Sequence, residues 1–259
     1  MSLNDIVFRI LEKERKSYEV PFLNDMSALE RVIRPGDVML VCGNTYLGEI
    51  IKWMTRSTWS HCAIYAGEKT LIEADNIVYK DGKTQRIEPK VIESPLEKYS
   101  LFNIRLKRPV QITSEDLATV LATVRGEMGK KFDRKNLINF LLKNLGLRSF
   151  EPFESMGSAN KYLCAALLAR AFQEVGYPVI PELIRVEKES MKFRQRNYTH
   201  CAPGDFDRAS SHYWQTIPFE RFGQIQHYKE IQWEQWPLPE KSRRRRRDKP
   251  PARNTKSVA

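Results

Sequence analysis

The stretch from His61 to Asp75, HCAIYAGEKTLIEAD, constrains the fold more than any other part of the chain. It contains two strand-like runs, His61–Ala66 and Thr70–Asp75, separated by a short segment around Gly67. Two such runs with a connection of this length predict an antiparallel β-hairpin.

The hairpin predicts a polar pair on one face of the sheet. If residues 66–68 form the connection, Tyr65 pairs with Lys69 and His61 pairs with Glu73. Directly opposed residues in antiparallel strands share a face, with their Cβ atoms about 4.5–5.5 Å apart. A carboxylate in that position could fix the tautomer of the imidazole and stabilise its protonated form. A slip of one residue would move Glu73 to the other face, and a cross-strand His–Glu pair is also a common surface contact.

The rest of the chain surrounds this hairpin with helices and further strands. Apolar residues at helical spacing, or in short continuous runs, predict helices over 4–16, 26–33, 46–55, 114–129, 136–145 and 161–175, and strands over 38–42 and 103–106. We find no internal repeat. Helices that precede and follow a block of strands predict the α+β class, with an antiparallel sheet or small barrel packed against the helix over 161–175.

Cys164 is the candidate nucleophile of that helix. With Asn160 or Ser158 as the predicted N-cap, Cys164 falls within the first turns, where the helix dipole and free backbone N–H groups favour a thiolate. The alternative is a core residue, because Cys164 shares a helical face with Leu168 and Phe172.

The other thiols and imidazoles carry weaker signals. Cys42 and Cys62 belong to strands, and the side chain of Cys62 is predicted to point away from His61 into the core. Cys201 falls in a loop, and zinc ligation by His200, Cys201 and His212 is disfavoured because their spacing matches no zinc motif. Four aromatic side chains are candidates to line an apolar groove or to pack in the core: Trp53, Trp59, Tyr213 and Trp214.

The positive charge is concentrated at the end of the chain. The net charge is +11, and residues 241–259 contain nine basic side chains against one acid, Asp248. The run Arg243, Arg244, Arg245, Arg246 and Arg247 predicts a disordered tail that could contact nucleic acid or an anionic membrane surface. The alternative is a solvated tail without a dedicated partner.

The composition predicts three regions: an N-terminal helical extension over 1–33, a domain over 34–240 and the basic tail over 241–259. No window approaches the roughly 20 apolar residues that a membrane helix needs, and the first 16 residues lack the apolar core of a secretory signal. We therefore expect a protein that is cytoplasmic as synthesised, with export by a non-classical route as the alternative.

Five motifs, in their order along the chain, resemble the permuted NlpC-type cysteine hydrolases, the YiiX/YaeF-like group related to lecithin:retinol acyltransferase. They are RPGDVML from Arg34, WSHCAIY from Trp59, LIEA from Leu71, KFD from Lys131 and YLCAALLA from Tyr162. The resemblance implies a circularly permuted papain-like fold in which the histidine strand precedes the cysteine helix. It implies Cys164 as nucleophile, His61 as base and Glu73 as the group that orients the base.

The resemblance also implies an acyl-transfer chemistry without cofactor or metal. The expected function is hydrolysis of an amide bond, in a peptide or peptidoglycan, through a thioacyl-enzyme. The alternatives are a lipid or acyl ester hydrolase or acyltransferase, and an inactive module that binds through its basic tail. Many relatives have Ser-Glu after the nucleophile where this chain has Ala165-Ala166, which keeps the inactive alternative open.

Overall fold

The computed structural model describes residues 10–15, 24–80, 82–132, 161–162, 164–185 and 191–219. Its strands are β1 (Val38–Cys42), β2 (His61–Gly67), β3 (Thr70–Lys80), β4 (Lys83–Pro95), β5 (Asn103–Pro109), β6 (Lys131–Phe132), β7 (Lys161–Tyr162), β8 (Pro181–Arg185), β9 (Met191–Gln195) and β10 (Trp214–Ile217). The main sheet has the order β10-β5-β1-β2-β3-β4-β6-β7. All neighbours in it are antiparallel except the two-residue pair β6–β7, and β8 pairs with β9 separately. The α+β class is confirmed, and the described strands form an open sheet.

The helices are α1 (Met26–Val32), α2 (Tyr46–Thr55), α3 (Ser114–Gly126), α4 (Cys164–Glu174) and α5 (Pro203–Arg208), with 3₁₀ turns at Leu96–Tyr99 and Tyr198–His200. Threonine side chains cap the start of two of them. The Thr45 hydroxyl accepts from the Gly48 N–H at the start of α2, and the Thr113 hydroxyl accepts from the Asp116 N–H at the start of α3. The two helices therefore begin where a threonine satisfies a free N–H.

Three helix predictions need correction at their ends. The helix predicted over 161–175 begins only at Cys164, because residues 161 and 162 form β7, so the predicted caps at Asn160 and Ser158 are wrong. The helix predicted over 114–129 ends at Gly126. The helix predicted over 4–16 does not reach residue 16, because Glu14 forms an antiparallel bridge with Thr45. The helix predicted over 136–145 lies outside the described residues.

Gly176 closes the C-terminal end of α4. Its φ is +71°, and its N–H donates to the Gln173 carbonyl while the Tyr177 N–H donates to the Phe172 carbonyl. This paired closure by a left-handed glycine satisfies the last carbonyls of the helix.

The hairpin register differs from the predicted one by two residues. Tyr65 pairs with Leu71, so the prediction that His61 directly opposes Glu73 is wrong. The turn consists of Glu68 and Lys69, both at positive φ, which the tight two-residue hairpin turn requires. Because the shift is even, Glu73 stays on the face of His61.

The sheet is buried on both faces. One face packs against α3 and α4, and its strand residues include Val38, Leu40, Cys62, Ile64, Ile72 and Ala74. The other face packs against α1 and the first 3₁₀ turn, and its strand residues include Met39, Val41, Ala63, Tyr65 and Leu71. The polar site therefore lies within a sheet that is apolar on both sides.

All described residues belong to one compact unit, which ends at Gly223. The predicted region boundaries at residues 33 and 240 stay predictions, and the basic tail lies outside the described ranges. Within those ranges, no helix has both the length and the apolar character that crossing a bilayer requires.

Candidate active site

His61 and Glu73 are in contact although they are not directly opposed. Nε2 of His61 lies 2.6 Å from Oε2 of Glu73. Glu73 is fully buried, whereas the His61 side chain is 19% exposed. Because a carboxylate only accepts, Nε2 of His61 carries the proton of this hydrogen bond.

Two neighbours complete the surroundings of Glu73. The ammonium of Lys98 lies 2.6 Å from its Oε1, and the hydroxyl of Tyr99 donates to its Oε2. Both residues come from the 3₁₀ turn that follows β4, and the ring of Tyr99 also stacks on His61 at a centroid distance of 6.3 Å. The buried carboxylate is therefore bonded on both oxygens, as its desolvation requires.

Cys164 reaches His61 from the opposite side of the sheet. Helix α4 packs on the face that carries Cys62, while His61 belongs to the other face. The pairing of β2 with β3 begins at Ile64, so the first residues of β2 are unpaired on the edge that faces β3. Cys164, the first residue of α4, packs against the cluster that contains Cys62 and interacts electrostatically with Cys62 and His61. The thiol and the imidazole line the same cavity.

The electrostatics of this contact favour a thiolate–imidazolium pair. The hydrogen bond from Cys62 lowers the pKa of the Cys164 thiol, and the charge of His61 lowers it further, to well below its usual range despite burial. Burial lowers the pKa of His61, but the negative charge of Cys164 and the contact with Glu73 raise it to well above its usual range. Both pKa directions favour a thiolate at Cys164 beside a protonated His61, and the thiolate is the nucleophilic form of cysteine.

Cys62 contributes to the site in a way that the sequence did not indicate. It is fully buried in the core, as predicted, yet it also interacts with the Cys164 thiol and lowers the pKa of that thiol. Burial, together with the neighbouring Cys164 thiolate, raises the pKa of Cys62 well above its usual range. The raised pKa favours the protonated thiol at Cys62. Strand alternation gave its direction correctly, but no sequence signal showed that α4 would present Cys164 to it.

Three side chains with atoms that could bind a metal ion also lie close together here, but the ammonium of Lys98 already pairs with the two carboxylates. Ligand atoms of His61, Glu73 and Asp75 lie within 4.8 Å of one another. The Lys98 ammonium lies 2.6 Å from Glu73 and 2.5 Å from Asp75, which neutralises the carboxylates that would bind an ion. We therefore assign the positive charge of this cluster to Lys98.

A cavity of about 190 Å³ gives access to the thiol and the imidazole. Both His61 and Cys164 line it, together with a mainly apolar set that includes Val41, Leu47, Ile51, Ala74, Ile77 and Phe102. The first turns of α2 and the loop that carries Cys201 complete the wall. The cavity can therefore hold an apolar group beside the sulfur.

The aromatic candidates have other roles. Trp59 and Trp214 are buried and donate to Asp207 and to the Pro178 carbonyl, respectively. Trp53 is 69% exposed on α2, and Tyr213 is at the surface. None of the four lines the cavity. All four cysteines are free thiols, and Cys42 accepts from the Lys52 ammonium at 3.4 Å.

Comparison with known proteins adds little to this geometry. No family profile matches the chain, and no curated protein is significantly similar to it. Among solved structures, the chain is similar to one titled "Crystal structure of metalloprotein yiiX from Escherichia coli O157:H7, DUF1105", at 15% sequence identity and a TM-score of 0.43. The similarity covers 72% of this chain and 97% of that one.

Proposed function

We propose that the protein is a cysteine hydrolase that cleaves an acyl bond through a thioacyl-enzyme. The observation that carries the proposal is the 2.6 Å hydrogen bond between Nε2 of His61 and the buried Glu73 carboxylate, in a cavity that both His61 and Cys164 line. Cys62 and the charge of His61 lower the pKa of the Cys164 thiol there. A nucleophile, a base and a group that orients the base, in that order, are what acyl transfer requires. In this proposal Cys164, His61 and Glu73 have those three roles.

The reaction proceeds in two steps. The Cys164 thiolate attacks the substrate carbonyl, the bond to the leaving amine or alcohol breaks, and the His61 imidazolium gives that group its proton. Water then attacks the thioester, His61 takes a proton from the water, and the carbon–sulfur bond breaks to release the acid. The free backbone N–H groups in the first turn of α4, which begins at Cys164, are placed to bind the oxyanion.

The substrate bond is an amide in the first form of this proposal and an acyl ester in the second. An amide of peptide or peptidoglycan type follows from the motif resemblance. The mainly apolar cavity wall favours the ester of an acyl chain, because such a chain buries its methylene groups there at about 0.8 kcal/mol each. A catalytically inactive module that binds through Arg243–Arg247 is a third proposal, and that segment lies outside the described residues.

Trapping the acyl-enzyme tests the proposal. Incubation with p-nitrophenyl esters of two to eight carbons, and with peptidyl aminocoumarin amides, should add one acyl group to Cys164, as located by peptide mass spectrometry. Cys164→Ala should lose the adduct and the turnover, whereas Cys42→Ala, the matched control, should keep both. Rates that rise with ester chain length support the ester form, and release of aminocoumarin supports the amide form. No adduct on Cys164 with either series would contradict the proposal.

A further inference from the structure

We infer that Lys98 is a positioning residue of this site: its buried ammonium holds Glu73 ionised and aimed at His61. This inference rests on the proposed function, because Lys98 touches neither the sulfur nor the imidazole and acts only through Glu73. The sequence analysis did not single out Lys98.

The hydrogen bonds of Lys98 fix the position of its ammonium group. Its side chain is 5% exposed, and Nζ lies 2.6 Å from Oε1 of Glu73, 2.5 Å from Oδ2 of Asp75 and 2.8 Å from the Ile77 carbonyl. An ammonium has three protons, and these three acceptors take all of them, with Ser94 Oγ farther away at 3.4 Å. The position of the charge is therefore fixed by the turn after β4 and by β3.

The two oxygens of Glu73 have separate partners. Oε1 accepts from Lys98, and Oε2 accepts from His61 and from the Tyr99 hydroxyl. Because Lys98 holds Oε1, the carboxylate cannot rotate without breaking a charged hydrogen bond. Oε2 therefore stays directed at the imidazole.

Lys98 also supplies the charge that does not move during the reaction. The charged and titratable groups that face Glu73 are His61 from β2, Asp75 from β3, Lys98 and Tyr99 from the 3₁₀ turn, and Cys164 from α4. The His61 charge comes and goes with the proton that it exchanges with Cys164 or substrate. A fully buried carboxylate without a permanent counter-charge would take up a proton itself.

The directions of the pKa shifts agree with a permanent positive charge on Lys98 beside an ionised Glu73. Burial raises the pKa of Glu73, but the Lys98 charge, followed by the contact with His61, holds it well below its usual range. Burial lowers the pKa of Lys98, but Glu73 and Asp75 raise it above its usual value, so the ammonium persists.

The chain offers a matched control in Lys107. It is a second buried lysine, 4% exposed, on β5, and its Nζ lies 3.2 Å from the Thr216 hydroxyl. It does not line the cavity. Replacing it removes a buried ammonium without touching the site.

The test is the pH profile of Cys164 alkylation by iodoacetamide, from pH 4 to 9, in the full chain. Lys98→Met should raise the midpoint of thiolate formation by about one pH unit, which is a roughly tenfold fall in rate below the midpoint. Lys98→Arg should keep most of the wild-type midpoint, and Lys107→Met should leave it unchanged. In a Glu73→Gln background, Lys98→Met should shift the midpoint no further.

The double variant Lys98→Met/Glu73→Gln removes the buried pair together, so it provides the answer even if Lys98→Met alone does not fold. A wild-type midpoint in folded Lys98→Met would overturn the inference and leave the proposed function intact. An equal further shift in the Glu73→Gln background would also overturn it, because Lys98 would then act independently of Glu73. Wild-type Cys164 that alkylates no faster than Cys62 would overturn the proposed function, and this inference with it.

Discussion

Two buried carboxylates, Glu73 and Asp37, show how similar surroundings can serve different ends. Both are almost fully buried and both are paired with a cation. Asp37 accepts from Nε of Arg108 at 2.7 Å and from its Nη2 at 2.6 Å, and it also accepts from the Arg34 N–H. Glu73 accepts from Lys98 on one oxygen and from His61 on the other.

The difference lies in what the partners touch. Arg108 donates onward to the Val32 carbonyl, so the Asp37 cluster joins α1, the turn before β1 and β5. His61 reaches the Cys164 sulfur and lines the cavity. Burial and an ion pair therefore do not identify a functional carboxylate. What identifies a functional carboxylate is its connection to a reactive group that substrate can reach.

The largest expected effect would be the same for both regions. Asp37→Ala and Glu73→Ala should each lower the free energy of unfolding by about 3–5 kcal/mol, because each removes a carboxylate that pairs with a largely buried cation. Urea unfolding at pH 7 measures both. A cost below about 1 kcal/mol for either variant would show that its ion pair does not stabilise the fold.

The stability that Glu73 confers should depend on pH. Its pKa in the folded protein lies well below the unfolded value of about 4.3, so the contribution is full above that value and is lost as the pH falls toward the folded pKa. The difference in unfolding free energy between wild type and Glu73→Gln should therefore be constant from pH 6 to 5 and shrink progressively between pH 4 and 3. Urea midpoints at these four values test the sign, and a difference that grows on acidification would contradict it.

Reactivity should separate the two regions. Glu73→Gln should slow acylation of Cys164 by p-nitrophenyl acetate about 100-fold, because the imidazole loses the carboxylate that orients and charges it. Asp37→Asn should keep the wild-type rate in whatever fraction of the protein is folded. Stopped-flow release of p-nitrophenol measures both variants. Equal losses would mean that the rate reports folding and not the site.

A smaller effect is expected from the hydroxyl that donates to Glu73. Tyr99→Phe keeps the ring on His61 and removes one hydrogen bond to a charged group, worth about 1.5–3 kcal/mol. The acylation rate should fall about tenfold, and the loss should vanish in a Glu73→Gln background. Tyr65→Phe is the matched control: that hydroxyl accepts from the Lys69 N–H in the hairpin turn, and its loss should leave the rate unchanged.

The sequence located the parts of the site that follow strand alternation. An imidazole and a carboxylate on one face of the 61–75 hairpin were predicted and are in contact. The register was wrong because Glu68 and Lys69 form a positive-φ turn without the Asn-Gly signature that usually marks one. The prediction held because the error was two residues and not one.

The rest of the site required the tertiary structure. Lys98 and Tyr99 reach Glu73 from a 3₁₀ turn 25 and 26 residues along the chain, and no periodicity links them to it. Cys62 was assigned correctly to the core, but its interaction with the Cys164 thiol depends on where α4 begins. That start was predicted too early, because residues 161 and 162 adopt a strand beside β6. Local sequence patterns predicted the helices and strands, whereas the side-chain contacts of the site depend on packing between elements that are distant in the chain.

The central claim, that His61 activates Cys164, is tested most directly by mapping alkylation at all four cysteines against pH in wild type and His61→Ala. Cys164 should alkylate fastest at neutral pH and lose that advantage in His61→Ala, while Cys42, Cys62 and Cys201 stay unchanged. Access to the sulfur is not reduced by the substitution, so the loss would report the thiolate. Cys164 that reacts no faster than the buried Cys62, or at the same rate with and without His61, would contradict the account.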